Sequence, residues 1–395
     1  MTLKHSRRLG LLAAFLSLFV LTLSAQPAAS SAATPYDRQG MWIWYIDSSN
    51  GGDLSSIIKQ ARRSRVKTLY IKSGDGTNVW SQFTKSMVKR FKRAGLKVCG
   101  WQYVYGERPL REARVSAVAK RRGANCFVID AEAEYEGRYS AADRYVRELR
   151  RLVGKKFKLS LSTFPYNHYH QAFPYSVFLG PGAATANLPQ VYWKAIGDTV
   201  RDSIATTVQQ NRIYKRKIYP VGQTWMNPSA RQLTSFRRYA KNYGVAPSWW
   251  SWQETTSSAW KTLGRPVTKY PRYRRVSDHP IVQSGSRGDM VVWLQQHLVG
   301  AGYDVPITGI FGGNAKRALI KFQRSRGLEA DGVAGTDTWN RLLKVKPVRV
   351  KWSAARSRAL RARVSGPAGS APAAPLSARI PMVRNEIAGA KRPGR

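Results

Sequence analysis

The chain has 395 residues, and its 66 Lys and Arg against 22 Asp and Glu give a formal net charge of +44 at pH 7. That length allows two or three domains with sizeable cores. A charge of this size attracts polyanions without reading sequence. The chain carries no helix-turn-helix, zinc-knuckle or RNA-recognition signature, so we expect no specific nucleic-acid partner. With two Cys and five His we also expect no metal and no cofactor.

Residues 1–33 predict a secretory signal peptide. Lys4, Arg7 and Arg8 form a basic start, an apolar run follows from 9 to 23, and small residues come next. The run is short for a membrane-spanning helix, although an uncleaved anchor is the alternative. We therefore predict a secreted, extracellular or wall-associated protein without a transmembrane anchor after cleavage. Outside the cell, a basic surface would meet anionic wall polymers.

Residues 34–275 alternate short apolar runs with longer amphipathic stretches. Eight units of strand followed by helix are typical of an α/β fold of the (β/α)₈, TIM-like barrel type. Closure of the barrel is inferred, because the last units are the least regular. The strand candidates are residues 41–47, 66–72, 97–105, 126–134, 157–164, 188–193, 218–225 and 248–253.

Two cysteines, Cys99 and Cys126, lie near the starts of two neighbouring strand candidates. An exported protein can keep a disulfide. Two buried thiols acting as small apolar side chains would fit equally well. Both alternatives stay open from the sequence.

The fourth strand candidate carries Asp130, Glu132 and Glu134 in alternation with apolar residues. Because strand side chains alternate between faces, the three carboxylates should all point into the barrel. Crowding and burial should raise at least one of their pKa values. A raised carboxyl beside an ionised one is the pair that glycosidases use. A solvated acidic loop is the alternative. The apolar residues predicted to face the outer helices are Phe127, Ile129, Ala131 and Ala133.

Other polar and aromatic side chains cluster at the predicted carboxyl ends of the strands, where barrel enzymes place their chemistry. Aromatic rings stack on sugars, and amides and hydroxyls bond sugar hydroxyls, so these positions predict a saccharide cleft. Asp47, at the end of the first strand, is a further catalytic candidate. The substrate-binding candidates in the barrel are Lys72, Asp75, Trp101, Tyr103, Gln190, Tyr192, Gln223, Trp225 and Trp252. For any single aromatic residue, core packing is the alternative.

Residues 280–345 predict a module of three short helices separated by two tight glycine turns, 308–312 and 331–335. The turns, together with Leu-Gln at 294–295 and Phe-Gln at 322–323, make the module resemble the peptidoglycan-binding domain 1 family. That resemblance implies bacterial peptidoglycan as the partner. Thr308 replaces the usual Asp, but both can bond the following backbone. Trp339 and the turn residues are candidate ligand contacts, with core packing as the alternative for Trp339.

The barrel half resembles TIM-barrel glycoside hydrolases, and more narrowly the family 25 lysozyme-like muramidases. Residues 71–77 are similar to that family's second-strand motif, and Asp130-Ala131-Glu132 matches its Asp-x-Glu, in which the Glu is the general acid. Asp47 fits the first-strand Asp with loose spacing, and a late carboxylate has no clear match. The Asp-x-Glu-x-Glu spacing also resembles the chitinase type, which would make Glu134 the acid.

The resemblances imply a secreted, wall-targeted, muramidase-like glycoside hydrolase that cleaves peptidoglycan glycan strands by carboxylate acid/base catalysis. The alternative is a non-catalytic peptidoglycan-binding protein with a degenerate barrel. Residues 346–395 are rich in Arg, Ala, Pro and Gly and poor in large apolar residues, which predicts a disordered basic tail able to hold anionic wall polymers. A helix at 353–364 is the alternative for that segment.

Overall fold

A computed structural model describes residues 34–364, and the predicted signal peptide and residues 365–395 lie outside the described residues. Within it, eight parallel strands close into a barrel, because each strand pairs with the next along the chain and the eighth pairs with the first. The predicted (β/α)₈ fold is confirmed. The strands are β1 Gly40–Ile43, β2 Thr68–Asp75, β3 Lys97–Val104, β4 Cys126–Ala131, β5 Lys158–Thr163, β6 Ala186–Val191, β7 Val221–Gln223 and β8 Ser248–Trp250.

Helices join these strands around the outside of the barrel. Side-chain caps fix several of their starts: Asp53 accepts bonds from two backbone amides of the first helix, and Ser229 forms a capping box with Gln232. The helices of the barrel are α1 Leu54–Arg63, α2 Lys85–Arg93, α3 Pro109–Ser116, α4 Val118–Arg121, α5 Tyr139–Val153, α6 Tyr175–Phe178, α7 Trp193–Ile196, α8 Val200–Asn211, α9 Ala230–Asn242 and α10 Ser257–Leu263. Two short strands, Asn78–Val79 and Lys217–Ile218, extend the sheet beside β2 and β6.

The barrel interior is filled by large side chains over most of its depth. Trp42 and Tyr70 stack with ring centroids 4.9 Å apart, and Trp101 packs edge-on against Trp42. All three are buried, together with Val128 and Leu188. Because the lower interior is packed, polar side chains are left to line its carboxyl end.

A disulfide joins Cys99 on β3 to Cys126 on β4. The two residues are register partners on neighbouring strands, and their Cα atoms lie 4.6 Å apart. Both side chains are fully buried in the barrel interior. The structure therefore decides between the two alternatives that the sequence left open.

The C-terminal module consists of α11 Asp289–Gly300, α12 Gly313–Ser325 and α13 Thr336–Leu342, as predicted. Each glycine turn is held by a buried glutamine from the preceding helix. Gln295 Oε1 accepts the backbone N–H groups of Thr308 and Gly309 at 2.9 and 3.0 Å. Gln323 Oε1 accepts that of Gly332 at 2.9 Å. Gly309 and Gly332 have φ near +74° and +73°, a conformation that favours glycine.

Thr308 and Asp331 occupy equivalent places in the two turns. The Thr308 hydroxyl accepts the backbone N–H of Ile310 at 3.2 Å, and the Asp331 carboxylate accepts that of Val333 at 2.9 Å. The replacement of Asp by Thr at 308 therefore keeps the local turn bond.

Asp289 joins the module to the barrel. Its buried carboxylate accepts four hydrogen bonds from barrel groups: the hydroxyls of Tyr139 and Tyr214 and both the hydroxyl and the backbone N–H of Ser176, at 2.6 to 2.9 Å. Burial raises the pKa of Asp289 to about 6, against the lowering effect of these bonds. The Trp293 indole N–H adds a bond to the carbonyl of Ile213 at 2.7 Å.

The prediction of disorder from residue 346 onward is wrong for the part that the structure describes. Helix α14, Ala354–Val364, forms where the sequence left a helix as the alternative. Leu360 and Val364 are buried, and Trp352 packs 4.5 Å from the ring of Tyr139. A few apolar residues are therefore enough to order this segment, because they pack against an apolar surface that the barrel and the module already form.

Candidate active site

Two carboxylates meet at the carboxyl end of β4. Asp130 is the last residue of β4 paired with β5, and its side chain is 5% exposed. Glu132 follows the strand and is half-buried. The side-chain amide of Gln190, on the neighbouring β6, donates to Asp130 Oδ1 at 3.1 Å and to Glu132 Oε1 at 2.9 Å. The predicted cluster is thus two acids bridged by one amide nitrogen.

Burial and the neighbouring charge of Glu132 raise the pKa of Asp130 well above its ordinary range. Lys72 and the bond from Gln190 act in the opposite direction. Two like charges in a buried place cannot both ionise easily, so the arrangement favours a form in which one of the two carboxyls keeps its proton. This is the electrostatic arrangement that the sequence predicted for the fourth strand.

The alternation of faces fails beyond β4. The strand ends at Ala131, and residues 133–135 form a 3₁₀ turn. Ala133 is therefore exposed and does not face the outer helices, contrary to the prediction. Glu134, on the same turn, accepts a hydrogen bond from the Tyr103 hydroxyl at 2.6 Å. Burial, followed by the charge of Glu132, raises the pKa of Tyr103, so this hydroxyl keeps its proton.

Lys72 is enclosed by aromatic rings and one carboxylate. Its ammonium group lies 4.5 Å from the ring centroids of both Trp44 and Trp80 and 4.9 Å from that of Trp101. It also pairs with Asp75 at 2.6 Å. Asp75 in turn accepts a bond from the Tyr105 hydroxyl at 2.8 Å. These interactions fix the cation in place.

Aromatic rings lie near Lys72 and the acids, and Trp101 and Tyr192 are buried whereas Trp44, Trp225 and Trp250 are half-buried. Trp44, Trp250 and Trp101 pack against one another at 5.3 to 6.1 Å, and Tyr192 lies edge-on to Trp225 at 5.9 Å. Burial and the charges of Asp130, Glu132 and Glu254 raise the pKa of Tyr192. The predicted site residues gathered at this end of the barrel are Lys72, Asp75, Trp101, Tyr103, Asp130, Glu132, Glu134, Gln190, Tyr192 and Trp225.

Four predicted site residues are placed elsewhere or engaged otherwise. Asp47 is exposed in a loop, because β1 ends at Ile43. The Gln223 amide bonds the backbone of Lys194 and Trp225 at 2.8 and 3.1 Å. Trp252 follows β8 in a 3₁₀ turn, packs on Trp260 and bonds Asn50. Trp339 is fully buried in the module core and donates to the Pro280 carbonyl at 2.9 Å, so it cannot contact a ligand.

Sequence reasoning missed Trp44 and Trp80. Trp44 shares a face with Trp42 at a spacing of two, which is a usable strand signal. Trp80 reaches Lys72 only because the hairpin of residues 74–79 turns the chain back, and no local pattern predicts that. Glu254, directly after β8, is also a carboxylate at this end, and burial raises its pKa.

Two general properties bear on the site. Among residues 34–364, no cluster of three or more His, Cys, Asp or Glu is arranged to hold a metal ion. No helix in the same range is long and apolar enough to cross a membrane.

Residues 287–342 match the family model of the putative peptidoglycan binding domain. A peptidoglycan-binding protein from Clostridioides difficile is 36% identical over 16% of this chain and 40% of its own, with a TM-score of 0.16, so this chain spans less than half of that relative. The spore cortex-lytic enzyme SleL of Bacillus cereus is 11% identical over 61% of this chain and 77% of its own, with a TM-score of 0.43. A family 25 glycosyl hydrolase from Bacillus anthracis is 15% identical over 41% and 76%, with a TM-score of 0.29.

The last two similarities are too low to be evidence about activity, and the barrel assignment rests on its own strand pairing. The match of the C-terminal module is supported by its three helices and two glutamine-held turns. The chain therefore carries a peptidoglycan-binding domain at residues 287–342, behind a (β/α)₈ barrel with clustered carboxylates.

Proposed function

We propose that the protein is a secreted, cell-wall-targeted glycoside hydrolase, muramidase-like, that cleaves the glycan strands of peptidoglycan. The observation that carries this proposal is the pair Asp130 and Glu132, bridged by Gln190 at the carboxyl end of the barrel. A proton-holding carboxyl beside a second acid is suited to protonating a glycosidic oxygen. The peptidoglycan-binding domain supports the substrate, because it raises the local concentration of glycan.

We assign the general acid to Glu132. Asp130 is nearly inaccessible, whereas Glu132 is half-buried and reaches the open end of the barrel. Asp130 then tunes the charge of the pair: when Asp130 is ionised, its repulsion favours the protonated form of Glu132, which is the form that can donate a proton. Glu134 is turned toward Tyr103 instead, which argues against the chitinase-type assignment. The half-buried rings of Trp44, Trp225 and Trp250 would provide stacking surfaces for sugar rings.

The test compares new reducing ends released from purified wall by the mature protein and by three variants. We expect Glu132→Gln to lose about 10²- to 10⁴-fold of the rate, as is usual when a general acid is removed. Glu134→Gln should lose about tenfold or less, since a neutral amide still accepts the Tyr103 bond. Glu148→Gln, on the outer helix α5, is the matched control and should keep full activity.

A larger loss for Glu134→Gln than for Glu132→Gln would move the acid to Glu134. Wall binding measured by co-sedimentation should be unchanged in all variants. If the unmodified protein binds wall but releases no reducing ends, the hydrolase proposal fails and a non-catalytic wall-binding protein takes its place.

A further inference from the structure

One end of the barrel is strongly basic. In a (β/α)₈ barrel, the segments that join each helix to the next strand all lie at the amino ends of the strands, opposite the catalytic end. Here the segments 62–67, 90–97, 120–125 and 151–158 are dense in Lys and Arg and contain no Asp or Glu. Nearly all of these cations are exposed. We call this surface the basic αβ face.

The four segments form a continuous surface. They lead into β2, β3, β4 and β5, which are consecutive hydrogen-bonded neighbours in the barrel. Neighbouring strands lie about 5 Å apart, so cations at their amino ends fall within one Debye length of each other. Like charges this close repel, and they are stabilised when a polyanion binds across them.

Helix ends alone do not account for this surface. Cations in the last turn of a helix are favoured by its dipole, and Arg62, Arg93 and Arg151 fit that explanation. Lys67, Lys97 and Lys158 do not, because they lie beyond the helices at the starts of strands. The acids of the candidate active site lie at the other end of the barrel. At the carboxyl ends of the strands are Asp75, Asp130, Glu132, Glu134 and Glu254.

We propose that the basic αβ face binds a linear, phosphate-rich polymer of the cell wall as a second wall-binding surface, separate from the peptidoglycan-binding domain. The flexible chain of such a polymer can follow cations on successive segments. A lipid bilayer fits less well, because stable binding to a bilayer usually adds inserted apolar groups to the electrostatic attraction. Within segments 62–67, 90–97, 120–125 and 151–158, no large apolar side chain is exposed. The proposal requires a wall location and not hydrolysis, so its outcome is separable from that of the catalytic test.

The test uses the full mature chain with long-chain inorganic polyphosphate as the probe, measured by titration at several salt concentrations. The face variant is Lys67→Glu, Lys97→Glu and Lys158→Glu combined. The matched control is Lys85→Glu, Arg111→Glu and Arg144→Glu combined, with the same change in net charge on exposed helix positions toward the catalytic end. Circular dichroism checks that both variants fold, and residues 365–395 are common to both.

We expect the face variant to bind polyphosphate at least tenfold more weakly at 0.15 M salt, and the control to change by less than about threefold. The slope of log K against log salt should fall by about one for each phosphate that the variant no longer neutralises, only in the face variant. Equal losses of affinity in both variants would overturn the proposal in favour of diffuse attraction. Stronger binding to phosphatidylglycerol vesicles than to polyphosphate would overturn it in favour of a membrane surface.

Discussion

Gln190 is the residue on which the geometry of the two acids depends. Its one amide nitrogen bonds both Asp130 and Glu132, and it also lies 3.4 Å from the Ser162 hydroxyl. A lysine in that place would neutralise the pair. An uncharged amide holds the two carboxylates in position while leaving their mutual repulsion in force, and burial followed by that repulsion raises the pKa of Asp130.

Gln190→Leu should therefore raise the pKa of Asp130 further, because a bond that favours its charged form is removed. The acid limb of the pH–rate profile should move to higher pH, and the rate at neutral pH should fall about tenfold. The carboxyl titration of Asp130, followed by carbon NMR, measures the same shift without relying on activity. Gln60→Leu on α1 is the control. A pKa of Asp130 that is unchanged or lower in Gln190→Leu would contradict the role given to Gln190.

For single residues, the sequence predicts which acids face the barrel interior but not where the strand that carries them ends. Alternation along β4 correctly indicates Asp130. It fails at Ala133 because the ladder with β5 ends at Asp130 and the ladder with β3 ends at Ala131, so no strand partner holds the chain extended beyond that point. The sequence could not predict the rings around Lys72 either, because Trp44 and Trp80 come from separate segments and meet only in the closed barrel.

Among the elements, β3 and β4 are joined twice, by their backbone ladder and by the buried Cys99–Cys126 disulfide. The crosslink spans a sequence separation of 27 residues, including α3 and α4. Closing a loop of this size restricts the unfolded chain and stabilises the folded one.

Replacing both cysteines by alanine should lower the free energy of unfolding by about 3 to 4 kcal/mol. Urea denaturation of the full chain checks this, with the unmodified protein kept oxidised. The β4 carboxylates should keep their positions, so the rate of wall cleavage at low temperature should change little. A decrease below about 1 kcal/mol would show that the crosslink adds nothing to the sheet.

Helix α14 shows why average composition gave a wrong prediction of disorder for this element. Averaged over residues 346–395, apolar content is too low to offset chain entropy. The average hides Val350, Trp352, Leu360 and Val364, which are all buried against Tyr139, Ala172 and Val292. The glycine turns of the module and the eight-strand repeat were predictable because their signals lie within a few residues of sequence.

In the whole molecule, we expect Asp289 to make the packing of the module against the barrel dependent on pH. Its folded pKa of about 6 lies above the ordinary value of 3.8, so the folded state favours the protonated form. Stability from this group is therefore greatest in acid and declines as pH rises from about 4 to about 6.

Between pH 5 and pH 7.5 we expect Asp289 to lower the free energy of unfolding by about 1 kcal/mol. Asp289→Asn should lack that part of the pH dependence, although it should be less stable at both values, since its amide cannot accept all four barrel donors. Calorimetry of the full chain at the two pH values measures the difference, with Asp337→Asn as the control. Identical pH dependence in the Asn variant, or higher stability of the parent at pH 7.5, would contradict this.

The connector between the barrel and the peptidoglycan-binding domain is not a free linker. Residues 265–278 are bonded to the barrel at intervals, through Arg237, Asn242 and Arg212 among others. With Asp289 also bonded to the barrel, the distance from the peptidoglycan-binding domain to the barrel opening is set by the fold and not averaged over linker conformations. Under the proposed function, a bound glycan would be cut at a constant offset from the sugars that hold the module, and fragment length would report that offset directly.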